Sequence, residues 1–77
     1  MTLVDLSKRQ RLIVEAVKGS EELQERLYNL GIKKGQEVEW MRRSPWGGPI
    51  IVKIGAGLLA LRKEEAECVQ VKRKLSS

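Results

Sequence analysis

One run in the middle of the chain constrains the fold more than any other: Leu23-Gln24-Glu25-Arg26-Leu27-Tyr28-Asn29-Leu30-Gly31-Ile32-Lys33-Lys34-Gly35-Gln36-Glu37-Val38. Leu23, Leu27 and Leu30 fall at i, i+4 and i+7, on one face of a helix, and are expected to point into a core. Gly31 follows where a helix ends most easily in a left-handed residue. Ile32 can then fold back onto Leu27, the apolar contact that often closes a Schellman cap. Lys33-Lys34-Gly35 reads as a turn, and the hydrophobic period changes from helical to alternating at Val38 and Trp40. The run therefore specifies a short helix, a fixed stop and an immediate strand.

The flanking segments read as short strands. Arg11 to Lys18 is rich in β-branched residues, and Gly19-Ser20 breaks it. Ser20 is a good N-cap, and Glu21 and Glu22 put negative charge on the first helical turn. Gln36 to Arg43 alternates, with Val38 and Trp40 on the face expected to be core. Ser44-Pro45-Trp46-Gly47-Gly48-Pro49 is a loop, because its prolines and glycines do not fit inside a ladder. Ile50 to Ile54 is the next strand, and Gly55-Ala56-Gly57 a tight connection into Leu58 to Arg62. Lys63 to Ala66 suggests one helical turn, Cys68 to Lys72 a last strand, and Leu75-Ser76-Ser77 a frayed tail. The fold class expected is mainly β with one helix: a small barrel of about five strands, with the helix between the first and second strands plugging one end.

Seventy-seven residues make a single domain, 1–77, which at this size buries only about 60% of the surface of its unfolded chain. The lone Cys68 excludes an internal disulfide and a cysteine zinc site. The net charge of +5 favours acidic partners, though a magnitude of about 2–8 is also what keeps small soluble domains apart. No stretch approaches the roughly 20 apolar residues that span a bilayer. The first residues lack the basic start and apolar core of a signal peptide, so a cytoplasmic protein with no membrane insertion is expected. Nucleic-acid binding is not expected, because Tyr28, Trp40 and Trp46 are the only aromatics and are not interleaved with basic residues along a strand.

Four pieces of the chain together resemble the FeoA family, ferrous iron transport protein A. They are the opening Thr2 to Leu6, the centre Leu27 to Gly35, the loop Pro45-Trp46-Gly47-Gly48-Pro49-Ile50, and the ending Leu59 to Ala66 with Val69 and Val71. The chain departs from the family near its start, where Lys8-Arg9 stands in place of a common Pro-Gly turn. The resemblance implies an SH3-like β-barrel. It also implies a small cytoplasmic accessory of ferrous iron uptake that binds and regulates the membrane iron transporter FeoB. Similar modules form part of iron-dependent transcriptional repressors, so a metal-responsive regulator is the alternative.

Chemistry is scarce. The chain has no histidine, which removes imidazole ligation and the usual acid–base and nucleophile-activating residue, and no enzyme is expected. Candidate iron ligands are Glu64, Glu65 and Glu67 beside Cys68, or Glu37 and Glu39 on one strand face. The favoured reading makes Glu64 and Glu65 solvated turn charges and Cys68 a small core residue. No metal site and no cofactor are therefore expected, with a bound Fe²⁺ or other divalent ion as the contrary case.

The surface singled out for partner binding is Met41, Arg42, Arg43, Pro45, Trp46 and Pro49. Tryptophan and arginine are over-represented among interface anchors, and prolines limit the entropy lost on binding. Trp46 either folds back over the end of the barrel or contacts a partner, be it the transporter or a second copy in a homo-oligomer. An arginine from Arg42 or Arg43 offered to a nucleotide site would look, in sequence, the same as a solvated charge.

Overall fold

The computed structural model describes residues 1–75. A 3-10 turn over Leu3–Asp5 precedes β1 (Gln10–Val17), α1 (Glu21–Asn29) and β2 (Glu37–Arg43). A second 3-10 turn (Pro45–Gly47) leads to β3 (Ile50–Ile54), β4 (Gly57–Leu61), α2 (Lys63–Glu67) and β5 (Val69–Arg73). The strands form one antiparallel sheet in the order β4-β3-β2-β1-β5. The architecture is the expected one, mainly β with one principal helix between β1 and β2. Of the tail, Ser76 and Ser77 lie outside the described residues.

The helix stop forms as its sequence dictates. Ser20 Oγ accepts from Leu23 N at 3.1 Å and caps the N-terminus. At the other end Ile32 N donates to Leu27 O and Gly31 N to Tyr28 O, both at 2.9 Å, with Gly31 at φ +96°. That pair of bonds is the Schellman motif, and Leu27 and Ile32 are both fully buried beneath it. A Cβ at Gly31 would meet only Ile54 Cγ2 at 3.6 Å, an ordinary contact. The cost of Gly31→Ala is therefore backbone strain of about 1–2 kcal/mol, to be read as a lower urea midpoint at unchanged m-value.

One expectation about the helix is corrected. Leu27 is buried and Leu23 half-buried, but Leu30 is 41% exposed. Leu30 is the C-cap, where the chain already leaves the helix axis, and Ile32 takes the inward position instead.

Two β-bulges curl the sheet. The β1–β5 register slips between Val14 and Ala16, and the β2–β3 register between Trp40 and Arg42, leaving Glu15 and Met41 as the extra residues. A bulge bends its strand and exchanges the faces beyond it. Val17, not Ala16, therefore shares a face with Val14, and Arg43, not Arg42, shares one with Trp40. The register agrees: Arg43 lies opposite the buried Ile50, and Arg42 opposite Ile51. Trp40 is buried as expected, and its Nε1–H donates to Leu3 O at 3.0 Å.

Among the described residues no ladder joins β4 to β5, so the curled sheet is not closed by hydrogen bonds. The N-terminal segment covers the β5 side. Thr2 bridges Gln70, Val71 N donates to Met1 O at 2.9 Å, and the first 3-10 turn packs on α2 and β5. Among the described residues the β4 side has no such bridge or backbone hydrogen bond.

Glu65 departs from its expected place as a solvated charge. It is 6% exposed, with Oε1 accepting from Arg62 N at 2.8 Å. Its Oε2 lies 3.2 Å from Arg26 Nη1, close enough for ion pairing but without hydrogen-bond geometry. The i+3 reach back to Arg62 draws this carboxylate inward, and its approach to Arg26 ties α2 to α1. Cys68, expected in the core, is only partly buried; its Sγ lies 3.3 Å from Glu64 O.

Candidate interaction surface

The loop between β2 and β3 is braced from both sides. Ser44 N donates to Pro49 O at 2.9 Å and Gly48 N to Pro45 O at 3.2 Å. Pro45 occupies the first helical position, where its missing N–H costs nothing. A Cβ on Gly48 would meet Ser44 Cβ at 3.0 Å and Pro45 O at 3.2 Å, so a side chain there requires the turn to give by a few tenths of an ångström.

Trp46 sits at the tip at φ 61°, ψ 33°. Among the described residues it is the sole non-glycine at positive φ. A bulky side chain in that region costs about 1–3 kcal/mol and is held there by its surroundings. The indole gains nothing in return within this chain, because Trp46 is 100% exposed. Of the two alternatives for Trp46, folding back over the barrel is not the arrangement this structure adopts.

The other residues of the surface divide by what they touch. Pro45 and Pro49 are exposed beside Trp46. Arg42 is exposed on the outer face of the sheet and joins no ion pair among the described residues. Arg43 is turned by the bulge toward the N-terminal segment, where Nη2 donates to Val4 O at 2.8 Å and Leu6 O at 3.3 Å. It braces the base of the loop. Met41, half-buried, is the bulge residue that sets this arrangement.

The structure adds two cations to the surface. A shallow hollow beside the loop is lined by Gly47, Gly48, Pro49, Arg62, Lys63 and Glu64. Arg62 and Lys63 form no ion pair among the described residues. The signal for them lay in hairpin arithmetic. A two-residue loop at Gly55-Ala56 puts Leu61 opposite Ile50, and hence Arg62 beside Pro49.

Of the candidate iron ligands, Glu37, Glu39 and Glu65 are engaged by cations. Glu37 Oε1 meets Lys74 Nζ at 2.6 Å, and Glu39 Oε2 meets Arg9 Nε at 2.7 Å. The hydrogen bond from Arg9 holds the Glu39 carboxyl below the usual carboxylate range, against a smaller opposing effect of burial. Among the described residues no group of three or more His, Cys, Asp or Glu side chains is placed to hold a metal ion.

Five short antiparallel strands curled over one core, with a helix between the first two and an exposed aromatic loop, define a small SH3-like domain. Residues 1–73 match the FeoA domain. The chain belongs to the FeoA family, small proteins associated with ferrous iron transport.

Solved structures agree. Iron(II) transport protein A from Clostridium thermocellum is 34% identical with a TM-score of 0.86; the match covers 95% of this chain but 45% of that longer one. The FeoA protein from Chlorobium tepidum is 31% identical with a TM-score of 0.87, over 100% of this chain and 73% of that one. The manganese-activated repressor ScaR, at 15% identity and a TM-score of 0.88 over 96% of this chain and 35% of its own, shares the fold alone. No match was found among curated proteins. Among the described residues no helix is long and apolar enough to cross a membrane.

Proposed function

We propose that this chain is a non-catalytic, cytoplasmic accessory of ferrous iron uptake. It docks on the cytoplasmic part of the membrane iron transporter FeoB through the Trp46 loop and regulates it. The observation that carries this reading is Trp46 itself, fully exposed and held in a left-handed conformation by a braced turn. A burial partner outside the chain accounts for both the exposure and the strain. Arg42, Arg62 and Lys63 around the loop favour an acidic rim on that partner, so association should weaken as salt rises. The deciding experiment is a calorimetric titration against the cytoplasmic domain of the same organism's FeoB, with and without guanine nucleotide. Saturable binding in either state supports the reading, and absence of binding in both contradicts it.

The module works without a resident metal. Treating the protein with a chelator should leave its melting temperature unchanged. A clear drop, restored by Fe²⁺ or Zn²⁺, would show a metal-stabilised site instead. The regulator reading rests on a fold likeness at 15% identity, and no feature of the Trp46 surface favours it.

A further inference from the structure

The geometry points to a second interaction surface, independent of the Trp46 loop: the free edge of β4, through which two copies of this chain join their sheets antiparallel about a two-fold axis at Leu59. The two outer edges of the sheet are treated in opposite ways. The β5 edge is bridged by Thr2, accepts the N-terminal segment through Met1 O, and carries the exposed cations Lys72 and Arg73. Those are the devices that stop an edge from recruiting another strand. The β4 edge has none of them. Among the described residues it pairs with β3 alone, the run from Gly55 to Leu61 contains neither a charge nor a proline, and Leu58 is 63% exposed.

The hairpin register says which groups are on offer. Ile54 pairs with Gly57 across the two-residue loop, so this is a hydrogen-bonded pair, and alternate residues along β4 bond to β3. Leu58 and Ala60 then turn their N–H and C=O groups away from β3. Among the described residues neither finds a backbone partner elsewhere. A second β4 running antiparallel, with Leu58 opposite Ala60 of the second copy and Leu59 at the centre, satisfies all of them with two reciprocal pairs of hydrogen bonds. The same register lays each exposed Leu58 side chain against the small Ala60 of the other copy.

Register selects a second copy as the occupant, because the outward groups of Leu58 and Ala60 answer one another about Leu59, and charge restricts where that copy can sit. Each chain carries +5, so two copies repel over most of their surfaces, and this neutral strand is where they can meet with no like charges opposed. Lys53, opposite Leu58 on that face, sits one strand in from the edge, so its backbone lies three strand spacings from that of its symmetry mate. That is roughly 14 Å, beyond the ~8–10 Å screening length at physiological salt. A two-fold interface is self-complementary by construction, as this edge is. Its contact falls short of the ~1,200 Å² of the smallest standard interfaces, so the dimer is weak, with a Kd on the order of 100 µM.

Sedimentation equilibrium of the intact chain up to about 1 mM, ten times that Kd, tests this. The wild-type mass should rise toward twice that of one chain. Leu58→Lys places a charge in the interface. Ala60→Pro removes an outward N–H while sparing the ladder to β3, as edge prolines do. Each should weaken association at least tenfold with an unchanged circular dichroism spectrum, while Trp46→Asn should associate like the wild type. A wild type that stays a single chain throughout, or a folded Leu58→Lys that dimerises as well as the wild type, would overturn the proposal.

Discussion

Replacing Leu27 with Ala is expected to lower the free energy of unfolding by about 3–4 kcal/mol, near the middle of the range for buried leucines. Leu27 is fully buried on α1, the principal helix. Its carbonyl also receives the Ile32 amide that closes the Schellman turn. Truncation opens a cavity under a turn that the Gly31 and Ile32 amides fasten to the helix end. A chain of 77 residues has a total stability of roughly 4–12 kcal/mol, so this one change removes a large fraction. At about 4–8 °C per kcal/mol for domains of this size, the melting temperature should fall by roughly 15–25 °C. Leu30→Ala, three residues on and largely exposed, should stay within about 0.5 kcal/mol of wild type. Urea denaturation of the two variants side by side checks both the size and the contrast. Equal losses would mean that the helix buries its whole leucine face.

Trp46→Asn is expected to move stability and binding in opposite directions. The indole makes no burial contact in this chain, and Asn tolerates the left-handed region far better than Trp. Relief of about 1 kcal/mol of backbone strain should leave the melting temperature level or a few degrees higher. An anchor tryptophan lost from an interface costs about 2 kcal/mol or more, which weakens affinity for the transporter domain roughly 30-fold. A large drop in melting temperature would instead make Trp46 a structural residue. Unchanged affinity would remove it from the docking surface.

The parts of the fold that were legible in the sequence are those set by local chemistry. The Ser20 cap and the stop at Gly31 each follow from a residue type at a fixed offset, and strand limits fall within one residue of their expected places; the connection expected over Gly55-Ala56-Gly57 is tighter than that, with Gly57 already paired to Ile54. The bulges were not legible, because a slip of one residue depends on how two distant strands curl together. Their consequence was the largest loss for the site. Simple alternation from Trp40 puts Arg42 inward and Arg43 outward, whereas the extra residue Met41 reverses the two. Arg43 thereby becomes a brace on the N-terminal carbonyls rather than a free charge. Glu65 was misplaced for a related reason. A carboxylate three residues into a short helix reads as solvated until the helix is known to lie against Arg26. Trp46 could be located in its loop from sequence, but whether it was tucked in or held out depended on a backbone angle that no residue pattern in the loop required.

Two indole N–H groups make the most direct measurement possible in one spectrum. The Trp40 indole is buried and bonded to Leu3 O, while the Trp46 indole stands in solvent. In ¹H–¹⁵N correlation spectra of the labelled chain, added cytoplasmic domain of FeoB should shift or broaden the Trp46 indole signal in a saturable way and leave that of Trp40 in place. Saturable binding in which the Trp46 indole does not respond, or no binding at all, would contradict a docking role for this loop.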